Sequence, residues 1–207
     1  MRTRKGRTGE AGTREQILQA ALEEFSANGF SGARIDRITR KADVNVRMIY
    51  HFFGSKRGLL DAVLGQIFRE RRELLAKPPA SFEQLLDAYF NGYAADQHRV
   101  RLLEWEALEA GADPDKLNAL DDRKKVVSER IASLRALQEE GKMPAEIDPQ
   151  MLYLFCVALS IYPMSFPQSV FVSIGEEAHS AQFQQRYRDA LASLARLLTP
   201  SLAQSPG

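Results

Sequence analysis

Nowhere in the 207 residues does apolar–polar alternation persist at the two-residue period of a half-buried strand, whereas apolar residues recur at helical spacing over most of the chain. Ile17, Leu18, Ala21, Leu22 and Phe25 form one stripe. Leu59, Leu60, Val63, Leu64, Ile67 and Phe68 form a second, and Phe183, Tyr187, Leu191, Leu194 and Leu198 a third. Such a pattern folds as an all-α protein, and its stripes and breaks predict about nine helices with no internal repeat.

The breaks carry the chemistry of helix ends. Thr13 and Gln16 have capping-box spacing and Gly29 is placed to terminate, which predicts a first helix over about 14–27. Ile35, Ile38 and Ala42 face inward on a short second helix that stops at Asp43-Val44. Asn45 and Ser55 offer side-chain oxygens to a third helix, about 46–52, and to a fourth. "KPPAS" at 77–81 marks a bend or boundary, after which Ser81 and Gln84 repeat the capping-box spacing. A further helix is expected over about 96–110. Asp113-Pro114 and Asp148-Pro149 each place an N-cap residue before Pro at the first helical position, predicting helices over about 114–140 and 149–162. Pro163 and Pro167 in "YPMSFPQS" break the latter near its end, and a last helix over about 177–198 is ended by Pro200.

Charge divides the chain. Residues 1–60 hold 12 Lys and Arg against 6 Asp and Glu, a net +6, whereas residues 61–207 hold 16 against 21, a net −5. A basic first quarter points to a polyanionic partner for that part alone. We therefore divide the chain into a flexible basic arm over 1–12, a helical domain over 13–60 that would meet the polyanion and a larger helical domain over 61–207 with another role.

Several classes of chemistry find little support. A lone cysteine, Cys156, excludes an internal disulfide and reads as a small core hydrophobe. His51, His98 and His179 are far apart and lack ligand-spaced neighbours, so neither a metal nor a cofactor is expected. No nucleophile has a neighbouring base in a recognisable motif, so no enzyme is expected and no catalytic residue is assigned. With no membrane-length apolar run and no signal peptide, a cytoplasmic protein without a membrane partner is expected.

Three short helices with a tight break between the second and third match a helix-turn-helix, whose second member enters the DNA major groove. On that third helix Val46, Arg47 and Tyr50 share one side while Ile49 points inward, so one face reads DNA as the other packs. Arg47 either bonds guanine O6 and N7, a contact worth about 1–3 kcal/mol of discrimination, or touches phosphate only. Arg34, Arg37, Arg40 and Lys41 surround the second helix, and of these Arg34 is the candidate for the DNA backbone.

The stretches "TREQILQAALEEFSANGF" and "IDRITRKADVNVRMIYHFFGSKRGLL" resemble the N-terminal domain of TetR-family transcription regulators over about Thr13 to Leu64. The resemblance implies that Tyr50 and Lys56, in the run Tyr50, Phe53, Gly54, Ser55, Lys56, hold phosphates. The chain departs from the family at Phe52, where His or Tyr commonly donates to phosphate; either His51 takes part of that role or one contact is forgone. It departs again at Asp43, a turn position commonly held by Gly, although Asp tolerates the left-handed conformation better than most residues. Asn45 and Val46 complete the expected DNA-binding set.

The resemblance further implies that the last two long helices form a four-helix interface between two copies, here with Leu152, Leu159, Tyr187, Leu191, Leu194 and Leu198. It also raises the expectation of a pocket within 80–170. Aromatics with polar tips, among them Tyr89, Tyr93, Trp105, Tyr153, Phe155 and Tyr162, are candidates to line it around a small, mainly apolar ligand. The expected function is a repressor acting as a homodimer on a near-palindromic double-stranded operator and released by a small molecule. The alternative is a DNA-binding module without such a switch.

Overall fold

Asp43 stands at the left-handed φ of 53° and ψ of 46°, the turn on which the N-terminal helices fold back. Residues 9–74 and 79–199 are described by the computed structural model. Among them run ten α-helices and no strand: α1 Glu10–Gly32, α2 Ile35–Ala42, α3 Val46–Phe53, α4 Lys56–Leu74, α5 Phe82–Ala94, α6 Gln97–Ala110, α7 Leu120–Glu139, α8 Pro149–Ser165, α9 Pro167–Ile174 and α10 Ala181–Leu198. The fold is all-α, as its periodicity requires. Most of the basic arm, Lys77 and Pro78 of the "KPPAS" bend, and Pro200 lie outside the described residues.

The chain divides into two compact units whose limits fall inside α4, inside α6 and after the first residue of α7. The first comprises residues up to Ile67 together with Arg101–Leu120. Its core joins Ile17, Leu18, Leu22 and Phe25 of α1 to Ile38 of α2, Ile49 of α3, Leu59 and Leu64 of α4 and Leu102 of α6. Helix α1 starts earlier and runs further than its capping signals suggest. Gly9 precedes it, and Gly29 breaks it at φ 65° before it resumes to Gly32. A side chain at Gly29 would also meet the Trp105 ring, since a Cβ there would lie 3.0 Å from two of its atoms. The Trp105 indole N–H donates to the Ser26 carbonyl at 3.1 Å, fixing the ring against this break.

The helix expected over 114–140 is not continuous. Asp113 caps Pro114 as its dipeptide predicts, but only a single 3-10 turn, Pro114–Lys116, follows before α7 begins at Leu120. Two carboxylates hold the intervening backbone out of the helix. Glu106 Oε1 accepts from both the Asn118 backbone N–H and its side-chain amide at 2.9 Å, and Asp61 accepts from the Ala119 N–H at 3.3 Å. Ala119 is left at φ 51°.

In the second unit, Phe68–Val100 with residues from Asp121 onward, α5 packs against both α8 and α10. Leu86 and Phe90 of α5, Leu152 and Cys156 of α8, and Phe183 and Leu191 of α10 are buried there. Asp148 caps α8 by accepting from the backbone N–H groups of Gln150 and Met151. Pro163 does not end α8, which continues to Ser165, and Pro167 opens the additional helix α9 instead. Pro is well suited to a first helical turn, where its missing N–H has no intrahelical partner to lose. Helix α10 begins at Ala181, where Ser180 accepts from the Phe183 N–H at 3.1 Å, about four residues later than the start expected near 177.

Candidate nucleic-acid interface

Helix α3 is held by the packing of its inner face and by caps at both ends. Ile49 is fully buried, and Val44, Met48, Phe52 and Phe53 lie half-buried against the same core. Asn45 Oδ1 accepts from the Arg47 N–H at 2.9 Å. Gly54, at φ 71°, closes the helix, and Ser55 Oγ accepts from the Gly58 N–H at 3.0 Å to start α4. The corner is tight. A Cβ on Gly58 would stand 2.1 Å from the Phe53 carbonyl oxygen, so only glycine passes there.

The opposite side of α3 is open. Val46 is 45% and Tyr50 53% exposed, and Asn45, Arg47 and His51 are exposed beside them. Among the described residues no carboxylate pairs with Arg47. The cations of α2 differ. Arg34 and Arg40 both engage Asp36, Arg37 engages Glu24 and Lys41 engages Glu23. Exposed ion pairs of this kind are worth little, about 0–1 kcal/mol, so they orient these side chains without committing them. Lys56 Nζ stands 4.8 Å from the Phe30 ring centroid and the Arg57 guanidinium 5.2 Å from the same centroid, two charges gathered on one aromatic ring. Phe52 turns toward the core and meets His51 edge-on at 5.2 Å, which leaves His51 as the polar ring on the outer side.

A small pocket, open at its mouth, lies within the second unit. Tyr89 and Tyr93 of α5 line it, as does Tyr153 of α8. Phe68 and Arg71 of α4, and Val126, Val127 and Arg130 of α7, complete most of the wall. The other expected pocket residues lie elsewhere. Trp105 belongs to the first unit and packs on Gly29, while Phe155 and Tyr162 point outward at 50% and 52% exposure and do not line this cavity. Sequence reasoning missed Arg71 and Arg130 because charged residues on long helices ordinarily coat a solvated face. Their spacing carried the signal, since Arg71 follows Phe68 by three residues and Arg130 follows Val126 by four, which puts each on its neighbour's apolar side.

Burial shapes the titration of this region. It raises the Tyr89 hydroxyl far above the ordinary tyrosine range, with the nearby Tyr153 contributing, and raises Tyr153 as well. Both therefore remain neutral hydrogen-bond donors at physiological pH. Burial also lowers Arg130 and pushes the Cys156 thiol up to about 12, so that thiol is a core hydrophobe rather than a nucleophile. Among the described residues no three His, Cys, Asp or Glu side chains gather as a metal site would require.

Helix α8 is apolar on more than one side, and its phase decides which residues are available to a partner. Leu152, Cys156 and Ser160 point into their own core, as does Leu191 of α10. The outward series is Met151, Leu154, Phe155 and Tyr162, continued by Phe171 and Val172 of α9 and Leu197 of α10. Of the six positions expected at an interface, Leu152 and Leu191 are thus inside the protein's own core. Leu159, Tyr187 and Leu194 are half-buried and Leu198 is exposed. No single described helix is long and apolar enough to cross a membrane, and α8 with α9, which together would be, bend by 83°.

Residues 17–63 match the family model described as "Bacterial regulatory proteins, tetR family", and residues 78–194 match "Tetracyclin repressor-like, C-terminal domain". The chain is 30% identical over 163 residues to the HTH-type transcriptional repressor SCO4008 of Streptomyces coelicolor, covering 79% of this chain and 84% of that protein. It is 34% identical over 137 residues to the HTH-type transcriptional repressor NicS of Pseudomonas putida, covering 63% of each. Among solved structures, the transcriptional regulator SCO4942 of Streptomyces coelicolor superposes with a TM-score of 0.74 at 24% identity, over 91% of this chain and 98% of that one. FadR of Bacillus subtilis, solved in complex with stearoyl-CoA, has a TM-score of 0.63 at 18% identity, over 86% and 97% of the two chains. These two structures share the fold.

Proposed function

The chain belongs to the tetR family of DNA-binding transcriptional regulators, whose members among its relatives are regulators rather than enzymes, and from that premise we propose that it is a cytoplasmic, ligand-responsive repressor acting as a homodimer on a near-palindromic operator. The observation that carries this reading is the division of α3. Ile49 is fully buried on one side while Arg47 and Tyr50 stand exposed on the other, Arg47 with no carboxylate partner among the described residues. In the major groove Arg47 reads a guanine, with Val46 and Asn45 beside it. Tyr50, His51, Lys56 and Arg34 take phosphates and set the register without reading sequence.

One such head covers one half-site, and specificity with useful affinity comes from two heads spaced by about one helical turn or a multiple of it. The outward apolar residues of α8 and α9 supply a surface that a second copy would cover. The pocket beside Tyr89 and Tyr93, walled by aromatic and apolar side chains with a few polar tips, has the kind of lining that small-molecule sites use. FadR of Bacillus subtilis, which shares the fold, was solved in complex with stearoyl-CoA. Helix α4 carries Lys56 in its first turn and Arg71 at the cavity. A ligand that favours one tilt of α4 shifts the equilibrium between two spacings of the heads by no more than its differential affinity for the two states.

The test is fluorescence anisotropy of an operator fragment bound by the full chain, titrated with a panel of small molecules. A compound that binds the protein and releases the DNA supports the switch. Operator affinity that stays constant across compounds shown to bind would leave a DNA-binding module without one.

A further inference from the structure

The cations of the first unit are neutralised unevenly. Arg34, Arg37, Arg40 and Lys41, in and beside α2, all stand next to carboxylates. Lys56 and Arg57 share the Phe30 ring instead, and the Arg14 guanidinium of α1 lies 5.4 Å from the centroid of the Phe53 ring. An aromatic ring holds a guanidinium in place without cancelling its charge, and a guanidinium lying on a ring keeps N–H donors for a planar anion such as phosphate.

Among the described residues Arg14 has no other engagement. Glu10, one turn earlier on α1, does not pair with it, and the adjacent carboxylate of Glu15 accepts from the Gln66 amide of α4 at 2.9 Å. Nor does Arg14 cap α3, since the Tyr50 carbonyl at that end accepts from the Gly54 N–H at 2.9 Å and Arg14 donates no hydrogen bond there. Its position follows from its ring. Phe53 is three residues after Tyr50 on α3, so the two side chains are neighbours on the helix surface. Phe53 is half-buried against the core while Tyr50 is 53% exposed, which puts Arg14 at the rim of the face to which Tyr50 belongs.

We propose that Arg14 contacts a phosphate of the DNA backbone at the edge of the groove that α3 enters, beside the phosphate taken by Tyr50. The assignment rests on the reading of α3 as the DNA-facing helix and adds to that face a residue from α1. A positioned cation with no carboxylate to release exchanges only its counterions and the phosphate's for the contact, so its contribution is independent of sequence and dependent on salt.

The full-length chain is titrated by fluorescence anisotropy against two duplexes of equal length, one carrying the site selected from a random pool and one with that site scrambled, each at several salt concentrations. Arg14→Gln is expected to weaken binding to both by the same factor and to lower the slope of log affinity against log salt by about 1, while Arg14→Lys keeps the slope. Arg14→Met, which covers the Phe53 ring without a charge, should lower the slope equally at the melting temperature of the wild type. Arg40→Gln removes an exposed cation 4.0 Å from Asp36 and should leave the slope nearly unchanged. Unchanged slopes in both neutral variants, a loss confined to one duplex, or an equal fall in Arg40→Gln would overturn the proposal and leave the reading of α3 standing. A wild-type chain that binds neither duplex would overturn both.

Discussion

The Tyr187 hydroxyl donates to the Leu159 carbonyl oxygen at 2.7 Å, and Leu159 is four residues before Pro163. In an α-helix that carbonyl would accept from the N–H of residue 163, and proline has none. A side chain on α10 therefore satisfies the acceptor that the proline leaves unpaired in α8, which is how α8 runs on to Ser165. The Tyr187 ring also packs against Phe90 at 5.1 Å and Phe183 at 5.5 Å, so the hydroxyl is positioned by aromatic packing.

Tyr187→Phe removes only that donor, and the expected cost is about 1–2 kcal/mol of unfolding free energy in urea melts. In a Pro163→Ala background an N–H is restored at residue 163, and the same substitution should cost less than half as much. Equal costs in both backgrounds would separate the hydroxyl from the proline.

Arg47→Ala and Lys56→Ala should weaken DNA binding in different ways. The first is expected to cost about 1–3 kcal/mol and relax preference at one base pair. The second should weaken all sequences alike and lower the slope of log affinity against log salt by about 1. Anisotropy titrations on the preferred site and on single-base variants, each at several salt concentrations, distinguish them.

Gly58→Ala places a methyl against the Phe53 carbonyl oxygen and should destabilise the protein by about 2 kcal/mol or more, with loss of operator binding. Gly32→Ala is the control, because its Cβ meets only the Asn28 Cβ, at 3.3 Å. It is expected to change the melting temperature little, and comparable losses in the two variants would remove the steric account of the α3–α4 corner.

Leu154→Arg and Phe155→Arg put charge on the outward face of α8 and should convert a dimer to a monomer in sedimentation equilibrium with the fold retained. Leu152→Ala, two residues before Leu154 and buried, should instead lower stability by about 2–5 kcal/mol without dissociating the dimer. Retention of the dimer in both arginine variants would place the contact elsewhere.

Much of this was legible in the sequence, and the exceptions share causes. Local signals held where the partner lies within a few residues: Asn45 caps α3, Ser81 caps α5, Asp148 caps α8 and Asp43 takes the left-handed turn. They failed where a distant group intervenes. The Asp113-Pro114 cap opens only one turn because Glu106 and Asp61 claim the backbone N–H groups of Asn118 and Ala119, and Pro163 fails to end α8 beside Tyr187. At the candidate sites, the outward face of α3 follows from periodicity around Ile49, whereas α8 is apolar on several sides and periodicity alone cannot tell its core series from its outward one. Trp105 was legible as an aromatic, but its place against Gly29 depends on a contact across 76 positions of sequence.

Selection of bound DNA from a random duplex pool by the full-length protein tests the central claim most directly, since it reports sequence reading, half-site spacing and symmetry together. The expected result is an inverted repeat whose half-sites are centred about one helical turn or a multiple apart, with one guanine in each half-site losing its enrichment when the selection is repeated with Arg47→Ala. A pool that shows no enriched sequence, or enriches only a solitary half-site, would contradict a dimeric operator-reading regulator.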